Sequence, residues 1–142
     1  MFDAAILATT RQIMGDCRKE MAKRGKAADR LGMVCYRVVD VLFEKKDFLA
    51  AIFDFVLAMV RTGEDMRGRI TEFTGGLRKA FHELVTEGAM KGEFVPEIDP
   101  DRTAESFFCV LESCVLRIVL GTETSSAPIK VHFADMIKSI SA

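Results

Sequence analysis

Apolar residues recur along this chain at steps of three and four, the spacing that places them on one face of a helix. Phe2, Ile6, Ile13, Cys17 and Met21 follow it first, and Gly25 closes that stretch. A second run, about Ala27 to Glu44, turns Leu31, Val34, Cys35, Val38, Val39 and Leu42 inward. The polar triplet Lys45-Lys46-Asp47 separates it from a third, about Phe48 to Arg61, which is rich in Phe, Ile, Val and Met. A fourth starts near Glu64-Asp65, where acids suit a helix N-terminus, and carries Met66, Ile70, Phe73, Leu77, Phe81, Leu84 and Val85 to Gly88. Gly75-Gly76 falls inside it, and a kink or the close approach of another helix would account for the pair. The fifth spans Pro100–Leu120. The sixth begins near Ala127-Pro128 and places Ile129, Phe133, Met136, Ile137 and Ile140 on one stripe. No segment reads as a strand. The pattern predicts one all-α domain over residues 1–142, an antiparallel bundle of about six helices with short connections.

The stretch from Glu87 to Leu120 carries the strongest local signals. Gly88 and Gly92 suit a left-handed helix stop. Asp99-Pro100 suits a start, with Asp capping free N–H groups and Pro at the first helical position. Phe107, Phe108, Leu111, Cys114, Val115 and Ile118 then form one face, while Val110, Leu116 and Leu120 lie largely off it. A helix apolar on more than one face needs cover on more than one side. One side is expected to be the core and the other a partner.

Glu87-Gly88-x-x-x-Gly92-Glu93-Phe94, a short linker, and Asp99-Pro100-x-x-x-Ala104 ahead of a long apolar helix resemble the C-terminal regulatory domain of TetR-family transcription regulators. The order and length of the preceding helices fit the same family, so the resemblance covers nearly the whole chain. By that resemblance Met1-Phe2 falls where a DNA-reading helix-turn-helix head has just ended, and the head is absent from this sequence.

Composition narrows the chemistry. Hydrophobic residues make up 49% and charged residues 29%, which suits a folded, soluble protein. The formal net charge is −1, without the basic excess of a free-standing nucleic-acid binder. Seven basic residues against three acidic ones lie between Arg11 and Arg30. Cations near a helix C-terminus account for them, and a phosphate-facing flank is the alternative. DNA is thus expected as a partner only through the missing head. No apolar run approaches the roughly 20 residues of a membrane span.

The four cysteines, Cys17, Cys35, Cys109 and Cys114, form no Cys-x-x-Cys pair and have no His nearby in sequence. They read as reduced thiols of a cytoplasmic protein, with no metal site and no cofactor. His82 and His132 sit in no metal motif, and no nucleophile elbow or phosphate loop occurs. An enzyme is not expected.

Eleven Phe and eight Met, with no Trp and one Tyr, supply large rigid and adaptable apolar surface. For any single residue, ordinary core is the simpler reading. For the set, the TetR resemblance implies a cavity for a small hydrophobic effector. Carried onto the matching helices, its lining would be Met14, Cys17, Met21, Cys35, Phe55, Met59, Phe73, Leu77, Phe81, Phe108 and Leu111, with Tyr36, Thr74 and His82 as possible polar contacts. The resemblance also implies a homodimer through the last two long helices. Val110, Ser113, Leu116, Arg117 and Leu120 would contribute from the fifth helix, and Ile129, Phe133, Met136 and Ile140 from the sixth. A sixth helix folded back on its own core is the alternative for that element. For the whole domain the alternative is a helical protein–protein interaction module with a filled core and no ligand. A thiol-based sensor is a more remote reading.

Overall fold

The computed structural model describes residues 2–142, and the side chains of all of these but Phe2, Asp3 and Phe73. Six helices follow one another: α1 Phe2–Met21, α2 Ala27–Glu44, α3 Lys46–Arg61, α4 Arg67–Met90, α5 Pro100–Leu120 and α6 Ala127–Ile140. The all-α bundle read from the periodicity is the observed fold. Several boundaries moved. Helix α3 starts two residues earlier than expected, so only Lys45 separates it from α2, and α4 starts after Glu64-Asp65.

Helix α2 is the centre. It packs against each of the other five helices, and Val34, Cys35, Val38 and Val39 are fully buried. Its broad apolar face, with ten buried residues, is explained by this cover on several sides. Helices α4, α5 and α6 contribute a ladder of rings. The Phe81 and Phe107 centroids lie 6.2 Å apart, and Phe107 stacks on Phe133 at 6.0 Å. Such ring pairs add to the stabilisation from apolar burial alone.

The end of α4 corrects one expectation. Gly88 does not stop the helix, which runs on to Met90. The stop is Gly92, at φ +73°. The Glu93 N–H donates to the Gly88 carbonyl at 2.9 Å and the Gly92 N–H to the Ala89 carbonyl at 3.2 Å. Together these bonds satisfy carbonyls that the helix end would otherwise leave open. The Asp99-Pro100 start is as expected: the Asp99 carboxylate accepts from the N–H groups of Asp101 at 3.1 Å and Arg102 at 3.3 Å. Helix α4 passes through Gly75-Gly76 unbroken. The close approach expected there is made by Met14 of α1, whose Sδ would lie 3.1 Å from a Cβ placed on Gly76.

One pairing escaped the periodicity. Phe94 and Ser141 form an isolated antiparallel bridge. The Val95 N–H donates to the Ile140 carbonyl at 2.8 Å, and the Ala142 N–H to that of Glu93 at 2.9 Å. This joins the α4–α5 connection to the residues after α6.

Candidate ligand and dimer faces

The residues expected around an effector fall into two groups. Cys17, Cys35, Phe81, Phe108 and Leu111 are buried members of the central cluster, and Met14, Met21 and Leu77 pack partly buried against it. Phe55 and Met59 are half-exposed on α3. Phe73 lies outside the residues whose side chains are described. Phe81 belongs to the ring ladder, so it serves as core. Arg78 lies over the ring of Phe108, with its guanidinium carbon 4.0 Å from the centroid, and covers that ring from outside.

Helix α3 is the unusual element. Phe48, Leu49, Ile52, Phe53, Phe55, Val56 and Met59 are all half-exposed, and no residue of α3 is buried. Leu57 and Val60 are exposed outright. The adjoining first turns of α4 are also open, with Ile70 exposed. The solid part of the core thus lies around α2, the second half of α4, α5 and α6. The apolar side of α3 is left incompletely covered.

The possible polar contacts are placed elsewhere. The Thr74 hydroxyl donates to the Ile70 carbonyl at 2.8 Å. His82 is exposed and its Nε2 pairs with Asp101 of α5. Tyr36 lines an outer cleft between α1 and α2, together with Asp16, Glu20, Met33 and Arg37. A second groove, between α1 and α4, brings Met14 and Met21 together with Arg18, Gly76 and Lys79.

Burial raises the buried thiols. Cys17 is pushed from an ordinary 9.0 to about 11, chiefly by loss of water and then by Asp16 and Glu20. Cys114 also rises to about 11 by burial, with Glu123 adding to it. Cys35 rises well beyond the ordinary thiol range for the same first reason. A thiol held this firmly in its neutral form is a poor nucleophile. Cys109 is exposed, and all four cysteines are free. Among the described residues no group of three potential metal ligands comes together.

Of the residues expected at a dimer face, Leu116 is 42% and Leu120 65% exposed on α5, and Ser113 and Arg117 are exposed beside them. Val110 is half-buried. The expectation for α6 needs correcting. Phe133 is fully buried and Ile129 nearly so, because the α6 stripe packs onto its own subunit; Met136 and Ile140 rest against the same cluster. As placed, Ile129 and Phe133 offer no surface to a second copy. The outward apolar residue of α6 is Val131, 60% exposed, which the inward stripe had hidden from view.

A family model described as "YsiA-like protein, C-terminal region", one of the TetR C-terminal families, matches residues 9–131. This chain belongs to the TetR family. The TetR domain is also similar to the ketosteroid transcriptional regulator KstR2 of Mycobacterium tuberculosis, with a TM-score of 0.76 at 13% sequence identity, over 100% of this chain and 72% of that one. Identity this low speaks to the shared fold alone. No curated protein matches the chain by sequence. Among the described residues, no helix of the TetR domain is long and apolar enough to cross a membrane.

The Glu87-Gly88-x-x-x-Gly92-Glu93-Phe94 segment now has a physical account. Glu87 pairs with Arg30 of α2. Gly88 lies beneath the Phe94 ring. Gly92 makes the left-handed stop. Glu93 reaches back to the start of α2, where its two carboxylate oxygens accept from the N–H groups of Ala27 at 3.1 Å and Ala28 at 3.0 Å. Lys26 provides no side-chain cap there, so a residue 66 positions away does so. Sequence reasoning gave Arg30 no role and named both glutamates only as part of the resemblance, without their partners. The available signal was a cation in register with the apolar stripe at Val34 and Val38.

Proposed function

We propose that this domain senses a small apolar effector and dimerises for a TetR-family transcription regulator. DNA is contacted by a helix-turn-helix head that precedes α1. The observation that carries the effector reading is α3: an apolar helix with no buried residue, next to a tightly filled core. Such a helix is suited to be the movable wall of a ligand space, because a ligand supplies the cover that the chain does not. The effector would lie against the open side of α3, at Phe55 and Met59. It acts by its difference in affinity between two arrangements of the bundle, changing the tilt of α1 and so the spacing of the heads.

The dimer face is assigned to the outward sides of α5 and α6, with Leu116, Leu120 and Val131 as its apolar contacts. Two-fold pairing suits a protein that reads two half-sites. The proposed setting is the cytoplasm, and no catalytic role is assigned.

A thermal-shift panel of hydrophobic compounds tests the effector reading, with fused-ring compounds included because of the name KstR2 carries. A ligand present at one hundred times its dissociation constant adds about 2.7 kcal/mol to the folded state. No shift across a broad panel would favour the second reading, an interaction module whose α3 face is covered by another protein.

A further inference from the structure

Helix α5 has two apolar sides. Leu111, Cys114 and Ile118 are buried in the subunit. On the far side Leu116 and Leu120 are exposed, and Ser113 is exposed one turn before Leu116. Steps of three and four residues place Ser113, Leu116 and Leu120 on one seam, the spacing by which two helices interlock. Glu112 directly precedes the first member of that seam and Arg117 directly follows the second, so the two charges flank it on opposite sides. Both are exposed. Among the described residues Glu112 has no hydrogen-bond or ion-pair partner. Arg117 has one, a single Nη1 contact of 3.3 Å with Glu123, and its side chain stays 54% exposed.

We propose that this seam packs in parallel against the same seam of a second copy, so that Glu112 of each copy meets the partner's Arg117. This rests on reading α5 as a dimer helix. The charges select the direction. With the two helices parallel, the acidic flank of one copy faces the basic flank of the other. The five-residue offset from Glu112 to Arg117 suits the diagonal reach between such flanking positions. With the helices antiparallel, each flank would face its own kind, acid towards acid and base towards base, which is repulsive on both sides. Two-fold symmetry repeats every contact, so one pattern on one chain supplies two ion pairs. Exposed pairs add little to affinity. Beside an apolar seam they fix which partner is accepted and which way it runs.

The test uses the 142-residue chain and a charge-swapped form, Glu112→Arg with Arg117→Glu. The swapped form is labelled with heavy nitrogen, so that native mass spectrometry tells mixed dimers from unmixed ones. It should self-associate as the wild type does, since each pair forms again with its ends exchanged. Glu112→Arg alone should self-associate about tenfold more weakly. When wild-type and swapped chains are refolded together, mixed dimers should fall about tenfold below the random share, because a mixed parallel dimer sets like charges together. Mixed dimers at the random share overturn the pairing. Mixed dimers above that share overturn it too, because an antiparallel seam would favour them. A wild-type chain that stays a single subunit overturns the dimer reading itself, and the pairing with it, whereas a wild-type dimer that mixes at random removes the pairing alone.

Discussion

The ring of Phe94 lies directly on the backbone of Gly88: a Cβ on that glycine would sit 2.8 Å from both Cδ2 and Cζ of the ring. Phe94 is buried and its backbone bridges to Ser141, so the ring has little freedom to retreat. Gly88→Ala should destabilise by about 1–3 kcal/mol, the usual range for an overfilled core. Phe94→Ala should destabilise more, by about 3–5 kcal/mol. Urea unfolding checks both as a lower midpoint at unchanged slope. Because the two sites touch, Phe94→Leu should recover part of the Gly88→Ala loss, and strictly additive effects would deny the contact.

Glu93→Gln should weaken the start of α2. The carboxylate there meets the positive end of the helix as well as two N–H groups, and loss of such a cap is worth about 1 kcal/mol. Hydrogen exchange should quicken at Ala27 and Ala28 while the amides of α5 keep their protection. Equal acceleration throughout the chain would assign Glu93 a general role instead.

The thiols should divide by accessibility. At neutral pH a thiol reagent should label one cysteine per native chain, Cys109, and reach Cys17, Cys35 and Cys114 only on unfolding. Alkali should then lower stability. Cys17 and Cys114 hold their protons to about pH 11 in the folded chain, against 9.0 ordinarily. Between those values the unfolded chain has released protons that the folded chain retains, so unfolding becomes easier as pH rises. Their contribution is fully present below pH 9. Cys17→Ala with Cys114→Ala should flatten part of this alkaline decline in a melting series.

Self-association should depend on the outward residues and not on the buried stripe of α6. Leu116→Lys with Leu120→Glu should shift sedimentation towards a single subunit while leaving the helical spectrum intact. Phe133→Ala should instead lower the melting temperature, since it removes a ring from the core, with an expected loss of about 3–5 kcal/mol. An unchanged assembly in the Leu116/Leu120 variant would move the interface elsewhere.

Much of this molecule was legible as sequence because helix faces are local. The inward sides of α2 and α5 were assigned by spacing alone, and Asp99-Pro100 marked a helix start within one residue. What spacing cannot express is which of two neighbours a stripe will meet. Periodicity put Ile129 and Phe133 on one stripe and the family resemblance turned that stripe towards a partner, but it packs on its own subunit, with Phe133 stacked on Phe107. The roles of Arg30, Glu87 and Glu93 were hidden for a related reason. Each depends on partners dozens of residues away, and charged side chains ordinarily signal solvent. Gly88 suggested a helix end from its identity, whereas its function here is to make room for a ring. The lining of the effector space stays a proposal, with Phe55 and Met59 on its open side and Phe81 committed to the core.

The placement of α2 has a consequence for how the chain comes apart. Its buried face is completed by α1 from one end of the sequence and α6 from the other, with α4 and α5 between. Peeling away either terminal helix would bare valines that have no alternative shelter. Loss of structure should therefore be cooperative across the helices packed on α2's buried face, with heat capacity showing one main peak, while α3, which buries no residue, is free to loosen ahead of it.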